Sequence, residues 1–220
     1  PLSGRSSRNN YMSPNSLRIS DAAVGAALLV ASAAANAALI TYDVRSIASP
    51  SFADYQSGWA AQGSPINSST PAGFDSLAGG NNSYNHLQVA FDIGNAYAGQ
   101  SLLFQLGLDA GYGGALYFDG VLIDTKNDDL WWGSNWGNTA ELLTGNVANL
   151  TVGAHTLDAY WAEGCCNGTQ AGRISVNGGA WQALSLTNFD RLAVPEPGSL
   201  ALFGLALAGV VGARRKKSAA

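Results

Sequence analysis

Cys165 and Cys166 are the only two cysteines of the 220-residue chain, and they are adjacent, in Glu163-Gly164-Cys165-Cys166-Asn167-Gly168. Thiols of exported proteins oxidise. Neighbouring cysteines can close on each other in a strained eight-membered ring, bridge to a second chain, or stay as two reduced, half-buried thiols. The ring is the expected state, because Gly164 and Gly168 permit the unusual backbone it needs. It would present an apolar sulfur face beside the polar Glu163 and Asn167, a surface suited to a sugar ring. Zinc is poorly matched: His86 and His155 lie far from the pair in sequence, and the spacing is not that of a zinc site.

A second cluster lies upstream. Asp124, Asn127, Asp128 and Asp129 crowd one segment, and oxygen donors this dense are the type that hold Ca²⁺. The spacing is not that of an EF-hand, and a solvated acidic turn accounts for it better. Trp131, Trp132 and Trp136 follow at once. Indole faces beside acids and amides are what sugar-binding surfaces use, since rings stack while polar edges orient hydroxyls. Ordinary core packing of at least two of the three is the competing expectation. Exposure of all three would favour a binding module, burial of all three a scaffold.

Catalytic signatures are scarce. The chain has no Gly-x-Ser-x-Gly elbow, no His-Glu-x-x-His and no phosphate loop. Carboxylates are plentiful, so a glycosidase acid pair is the one enzymatic alternative, expected to show as two carboxylates about 5–10 Å apart in a cleft. Between Ala38 and Pro197 fourteen acids face four bases, a net of −10. Phosphate backbones would be repelled, which excludes nucleic acid as a partner. Neutral glycans or divalent cations are compatible.

These residues must be positioned by strands. Leu87, Val89, Phe91 and Ile93 alternate with more polar neighbours, as do Leu102, Phe104, Leu106 and Leu108. Asp119-Gly120 between two apolar runs predicts a two-residue hairpin turn. Gly178-Gly179 predicts a second. Further strands are expected at 39–44, 156–162, 173–176 and 181–186, a short helix within 52–62, and a long loop over 63–84. Tyr160, Trp161 and Trp181 are expected in the core or between sheets. Eight to ten short strands without helical crossovers predict an all-β, antiparallel β-sandwich of jelly-roll-like form.

The ends read as sorting signals. Met12 is the expected initiator, with residues 1–11 an extension of the reading frame. Arg18, the Ala-rich run 22–35 and Ala35-Asn36-Ala37 follow the order of a signal peptide, so 1–37 is assigned to the leader and 38–193 to the ectodomain. In 194–220, Val194-Pro195-Glu196-Pro197 precedes a short apolar run, expected to be a brief membrane-crossing helix, closed by Arg214, Arg215, Lys216 and Lys217. This arrangement resembles the PEP-CTERM sorting signal. The resemblance implies signal peptidase and an exosortase as export partners. It also implies passage through the inner membrane, and a destination on the surface or in the exopolysaccharide matrix of a Gram-negative bacterium. Residues 109–178 resemble the PEP-CTERM group named for a Cys-Cys-x-Gly motif, through Asp109-Ala110-Gly111-Tyr112-Gly113-Gly114, Phe118-Asp119-Gly120-Val121, Leu130-Trp131-Trp132, Gly153-Ala154-His155-Thr156-Leu157 and Cys165-Cys166-Asn167-Gly168. The same layout resembles the protective-antigen-like sandwich of flocculins and other adhesins, whose binding end can hold calcium and sugar. The Asp-Asp pair that chelates calcium there has no match in this sequence. The expected function is an exported, non-enzymatic, glycan-binding module, with a ligand-free matrix component as the alternative.

Overall fold

The computed structural model describes residues 36–77, 80–166 and 168–193, together with Gly204, Ala206 and Leu207. Residues 1–35 of the expected leader, Asn167, the Val194–Pro197 motif and the basic tail lie outside the described residues. Among the described residues no helix is long and apolar enough to cross a membrane.

Among the described residues thirteen strands and two α-helices make up the fold. The strands are β1 (Leu39–Ser46), β2 (Asn67–Ser69), β3 (Asp75–Leu77), β4 (Ser83–Ile93), β5 (Leu102–Gly107), β6 (Asp109–Ala110), β7 (Gly114–Phe118), β8 (Val121–Lys126), β9 (Leu130–Trp131), β10 (Leu142–Val147), β11 (Gly153–Glu163), β12 (Gln170–Val176) and β13 (Gln182–Ala183). The helices are α1 (Tyr55–Ala60) and α2 (Leu186–Ala193). One sheet has the order β2-β1-β4-β11-β7-β8, the other β10-β5-β12-β13 with β3 also on β12, and β6 pairs with β9 alone. Every pairing is antiparallel. The architecture is the antiparallel β-sandwich that the alternation predicts.

The core follows from that alternation. Ile40, Tyr42 and Val44 of β1, Leu87, Val89, Phe91 and Ile93 of β4, and Leu157, Ala159 and Trp161 of β11 meet Leu102, Phe104, Leu106 and Ile174 from the second sheet. Each large side chain so buried contributes about 1.5–3 kcal/mol relative to exposure. The outer face of β11 is covered too. Tyr160 and Ala162 pack with Tyr55, Trp59 and Tyr84 under α1, so β11 is buried on both faces over most of its length. The Asp54 carboxylate caps α1 by accepting from the Ser57 N–H at 3.0 Å.

The Asp119-Gly120 turn is as expected. Both residues have positive φ, 49° and 76°, and Phe118 pairs with Val121 across them. The turn is also tied down by side chains: the Asp119 carboxylate accepts from the Thr156 N–H at 2.8 Å and meets His155 Nδ1 at 2.7 Å. A Cβ at Gly120 would meet nothing within 4 Å. Gly120→Val therefore isolates the backbone cost of a β-branched residue at positive φ, and the unfolding free energy should drop by about 1 kcal/mol. An unchanged urea midpoint would count against the turn's importance.

Some expectations need correction. The second hairpin turns at Asn177-Gly178, φ 50° and 69°, one residue earlier than expected. The loop 63–84 carries β2 and β3 at its sheet edges, and β4 already begins at Ser83. The strand expected over 181–186 is only β13, because Leu186 opens α2, whose Phe189 and Leu192 are buried against the core. Trp181 is not core: it stands half-exposed beside Arg173.

Candidate functional site

A groove of about 620 Å³ opens at one end of the sandwich, lined by Asp109, Gly111, Tyr112, Asp129, Trp131, Glu163, Gly164, Cys165 and Cys166. Three elements bring these residues together. β11 ends at Glu163 and delivers the cysteine loop. The short β6–β9 pair places Asp109 opposite Trp131. The turn between β6 and β7 carries Gly111 and Tyr112, and is stitched to β11 by the Tyr112 N–H to the Ala162 carbonyl at 3.0 Å and the Ala162 N–H to the Gly113 carbonyl at 3.1 Å.

Cys165 and Cys166 are bonded to each other and are exposed, with Cys166 at φ 71°. The loop is held from both sides. Asn82 N–H donates to the Gly164 carbonyl at 2.9 Å, and Cys165 N–H donates to Glu163 Oε1 at 2.7 Å. The walls are aromatic. Trp131 is 55% exposed. Tyr112 is exposed on one side and stacks on Phe52 on the other, ring centroids 4.5 Å apart. The sulfur pair, the Trp131 ring and the Tyr112 ring thus border one concavity.

The floor is acidic and buried. Asp109 is 5% and Glu163 2% exposed. Glu163 accepts from the Gly111 N–H at 2.8 Å through its other oxygen, and Asp109 accepts from the Gly168 N–H. Glu163 and Asp109 line the same floor. Burial pushes Asp109 above the usual carboxylate range, reinforced by the charge of Asp129. Burial likewise pushes Glu163 up, reinforced by the charges of Asp109 and Asp129. Both acids therefore favour the neutral form more than an ordinary carboxylate does.

The sign of the pH dependence follows. Folded-state pKa values above the unfolded ones give stability that is complete below the ordinary carboxylate range and is lost as pH rises through the raised values. Asp109→Asn keeps an oxygen for the Gly168 N–H while removing a negative charge that acts on Glu163. It should stabilise the protein at pH 7 by on the order of 1 kcal/mol, with little gain near about pH 4. Urea midpoints at the two pH values measure this, and an equal shift at both would take the raised carboxyl pKa values out of the account.

Calcium does not fit the residues present. Among the described residues no three His, Cys, Asp or Glu side chains converge as a metal set. Both Glu163 oxygens and one Asp109 oxygen are committed to backbone N–H groups. Asp124, Asp128 and Asp129 do not come together. Asp124 accepts from the Thr144 N–H at 2.7 Å on the β8 side, while Asp129 lines the groove.

The three tryptophans separate as well. Trp131 faces the groove. Trp132 is 5% exposed, its Nε1–H donating to the Thr169 carbonyl at 2.7 Å, and it packs with the partly buried Trp136 away from the sulfur pair. Of the two expectations, packing of two of the three fits Trp132 and Trp136, and only Trp131 of the three candidate binding tryptophans lines the groove. The alternation of β9 turns consecutive indoles to opposite sides. Glu163 is part of the floor, not an exposed neighbour of the sulfurs. Asp109 and Tyr112 were missed as groove residues. The only sequence cue was an alternating strand ending at Asp109 in front of a glycine-rich turn.

Against known proteins, a family model described as the PEP-CTERM protein-sorting motif matches residues 193–216. That motif marks an exported, membrane-transiting surface protein of Gram-negative bacteria. No curated protein sequence matches the chain. Among solved structures the sandwich is similar to a PA14 sugar-binding domain from an RTX adhesin, at 12% identity and TM-score 0.49, covering 69% of this chain and 97% of that one. The PA14 domain of the MpAFP antifreeze protein is similar at 10% identity and TM-score 0.47, covering 71% and 91%. The A domain of epithelial adhesin 6 from Candida glabrata, in complex with Galb1-3GlcNAc, is similar at 7% identity and TM-score 0.44, covering 67% and 84%.

Proposed function

We propose that this exosortase-sorted surface protein is a non-enzymatic glycan-binding module, and that its ligand sits in the groove of the Cys165–Cys166 loop. One observation carries the reading: the bonded sulfur pair, the exposed Trp131 and Tyr112 border a concavity of about 620 Å³ with a polar floor. Apolar faces of a sugar stack on indole and sulfur, while ring hydroxyls meet the carboxyl oxygens and backbone groups below. Both Glu163 oxygens and one Asp109 oxygen already accept from backbone N–H groups, which speaks against a glycosidase reading, whose acid pair must exchange protons with the substrate and water.

The disulfide gives the test. A bridge between neighbours closes almost no chain, so it removes little entropy from the unfolded state. Its role is to fix the loop. The Cys165→Ser/Cys166→Ser double variant of the purified protein should keep its unfolding midpoint and lose its signals on a glycan array, run with and without Ca²⁺. A collapse of the fold would make the pair core structure. Undiminished array binding would move the ligand elsewhere. If no glycan binds the unaltered protein at all, a scaffold role in the matrix takes its place, for which the packing of Trp132 against Trp136 is the supporting observation.

A further inference from the structure

A second concavity, of about 430 Å³, lies on the outer face of the smaller sheet and shares no residue with the first groove. At its centre is Arg173 of β12. Its guanidinium lies against two indoles, 4.4 Å from the Trp136 ring centroid and 4.5 Å from that of Trp181. Contact with both rings restricts its motion. Nε and Nη2 donate to Gln105 Oε1 at 2.8 and 2.6 Å. A guanidinium carries five N–H donors, so three remain for something else. Among the described residues no carboxylate lies within ion-pair distance of Arg173. This is unusual in a domain where acids outnumber bases more than three to one.

The rest of the lining is made of neutral polar groups. Ser76, Ser134, Thr169 and Gln182 border the same space. Gln170 lines it as well and is fully buried, with neither Nε2 nor Oε1 partnered. Asp75 is the one acid present, exposed at the rim.

We infer that this concavity is a binding site for an acidic sugar, with the carboxylate of a uronate residue meeting the free edge of the Arg173 guanidinium. A planar, pre-oriented guanidinium matches a carboxylate through two parallel hydrogen bonds. Hydroxyl and amide side chains around it suit the hydroxyls of the same ring, whereas an acidic peptide would leave them unmatched. The outward face of Trp181, half-exposed, is available for stacking. Asp75 at the rim disfavours a second carboxylate there, and so sets which way an acidic oligosaccharide lies. The site does not depend on the reading of the first groove.

The probe is trigalacturonate, with galactotriose as its neutral counterpart, titrated into the purified full-length protein. The acidic trimer should bind and shift the Arg173 Nε–H resonance. Arg173→Gln and Arg173→Lys should each weaken binding at least tenfold, since lysine keeps the charge but not the planar fork. Trp181→Ala should weaken it several-fold. Trp131→Ala, in the other groove, should leave it unchanged. Galactotriose should not move the Arg173 resonance. Absence of binding by either trimer overturns the inference. So does trigalacturonate binding that survives Arg173→Gln or is lost in Trp131→Ala instead. Equal binding of a glutamate tripeptide would replace the sugar by a generic carboxylate. If an Arg173 variant fails to fold, the resonance shift in the unaltered protein and the Trp181→Ala titration still decide the matter.

Discussion

Replacing Gly113 by alanine is expected to destabilise the protein by about 3 kcal/mol or more, enough to move a urea midpoint by about 1 M or more. Two independent costs combine. Gly113 sits at φ +78°, where a Cβ costs roughly 1–2 kcal/mol. A Cβ there would also lie within 2.6 Å of the Tyr55 hydroxyl and 3.0 Å of the Asp128 carbonyl, and closer still to the Lys126 carbonyl. Tyr55 cannot give way freely, because its hydroxyl donates to backbone carbonyls here, with the Tyr112 carbonyl at 2.5 Å and that of Lys126 at 3.1 Å. Gly120→Val is the control, since it shares the positive φ but meets open space. Equal midpoints for the two variants would mean that the crowding at Gly113 has no energetic weight. Because Gly113 adjoins Tyr112, the variant should also lose the groove wall before it loses the core.

The second large effect concerns binding. Trp131→Ala should lower glycan affinity by about thirtyfold, close to 2 kcal/mol, the range of an aromatic anchor at the centre of a contact. Stability should change by no more than about 0.5 kcal/mol, because the ring is exposed. The backbone of Trp131 stays fixed in either case, through its N–H to Glu141 Oε2 at 2.8 Å and its pairing with Asp109. Trp131→Phe should recover part of the loss. Trp132→Ala should behave in the opposite way, costing stability by about 3–5 kcal/mol as a buried indole does, with affinity affected only through folding. Retained affinity in Trp131→Ala would take the groove out of the binding account.

What could be read in the sequence was what depends on neighbours along the chain. The alternation of Leu87 to Ile93 and the Asp119-Gly120 turn are local patterns, and both appear where expected. The sorting motif is likewise a linear signal, matched over 193–216. The disulfide was the expected one of three outcomes open to adjacent cysteines, favoured by the flanking Gly164 and Gly168. The groove was less accessible. Asp109, Trp131 and Glu163 lie up to fifty-four positions apart and meet only because β6 pairs with β9 and β11 returns beside them. Nothing local distinguishes Trp131 from Trp132, yet one indole faces solvent and the other packs beneath Arg173's neighbours. Trp181 was misjudged for a related reason. Its aromatic character suggested burial, but the strand it introduces is only two residues long and lies at the sheet edge. Helix α2 was missed because its Leu186, Phe189 and Leu192 follow a mixed strand-like run, and its amphipathic face is short.

The pairing of β4 with β11 has a mechanical corollary. Gly153 of β11 lies opposite Ile93 and Glu163 opposite Ser83. The two strands therefore run the length of the sandwich, about 33 Å for eleven residues each. At one pole is the cysteine loop. At the other, the Gly94 N–H donates to the Leu192 carbonyl at 2.7 Å and the Ala38 N–H to Asp190 Oδ1 at 2.7 Å, and the chain leaves the sandwich through Ala193. A ligand held at the first pole and a tether fixed beyond Ala193 would pull along the strands, not across them. The chain between those two points runs through β12, so tension would be carried as shear by the β12–β5 ladder alongside, with no single hydrogen bond peeled open ahead of the others.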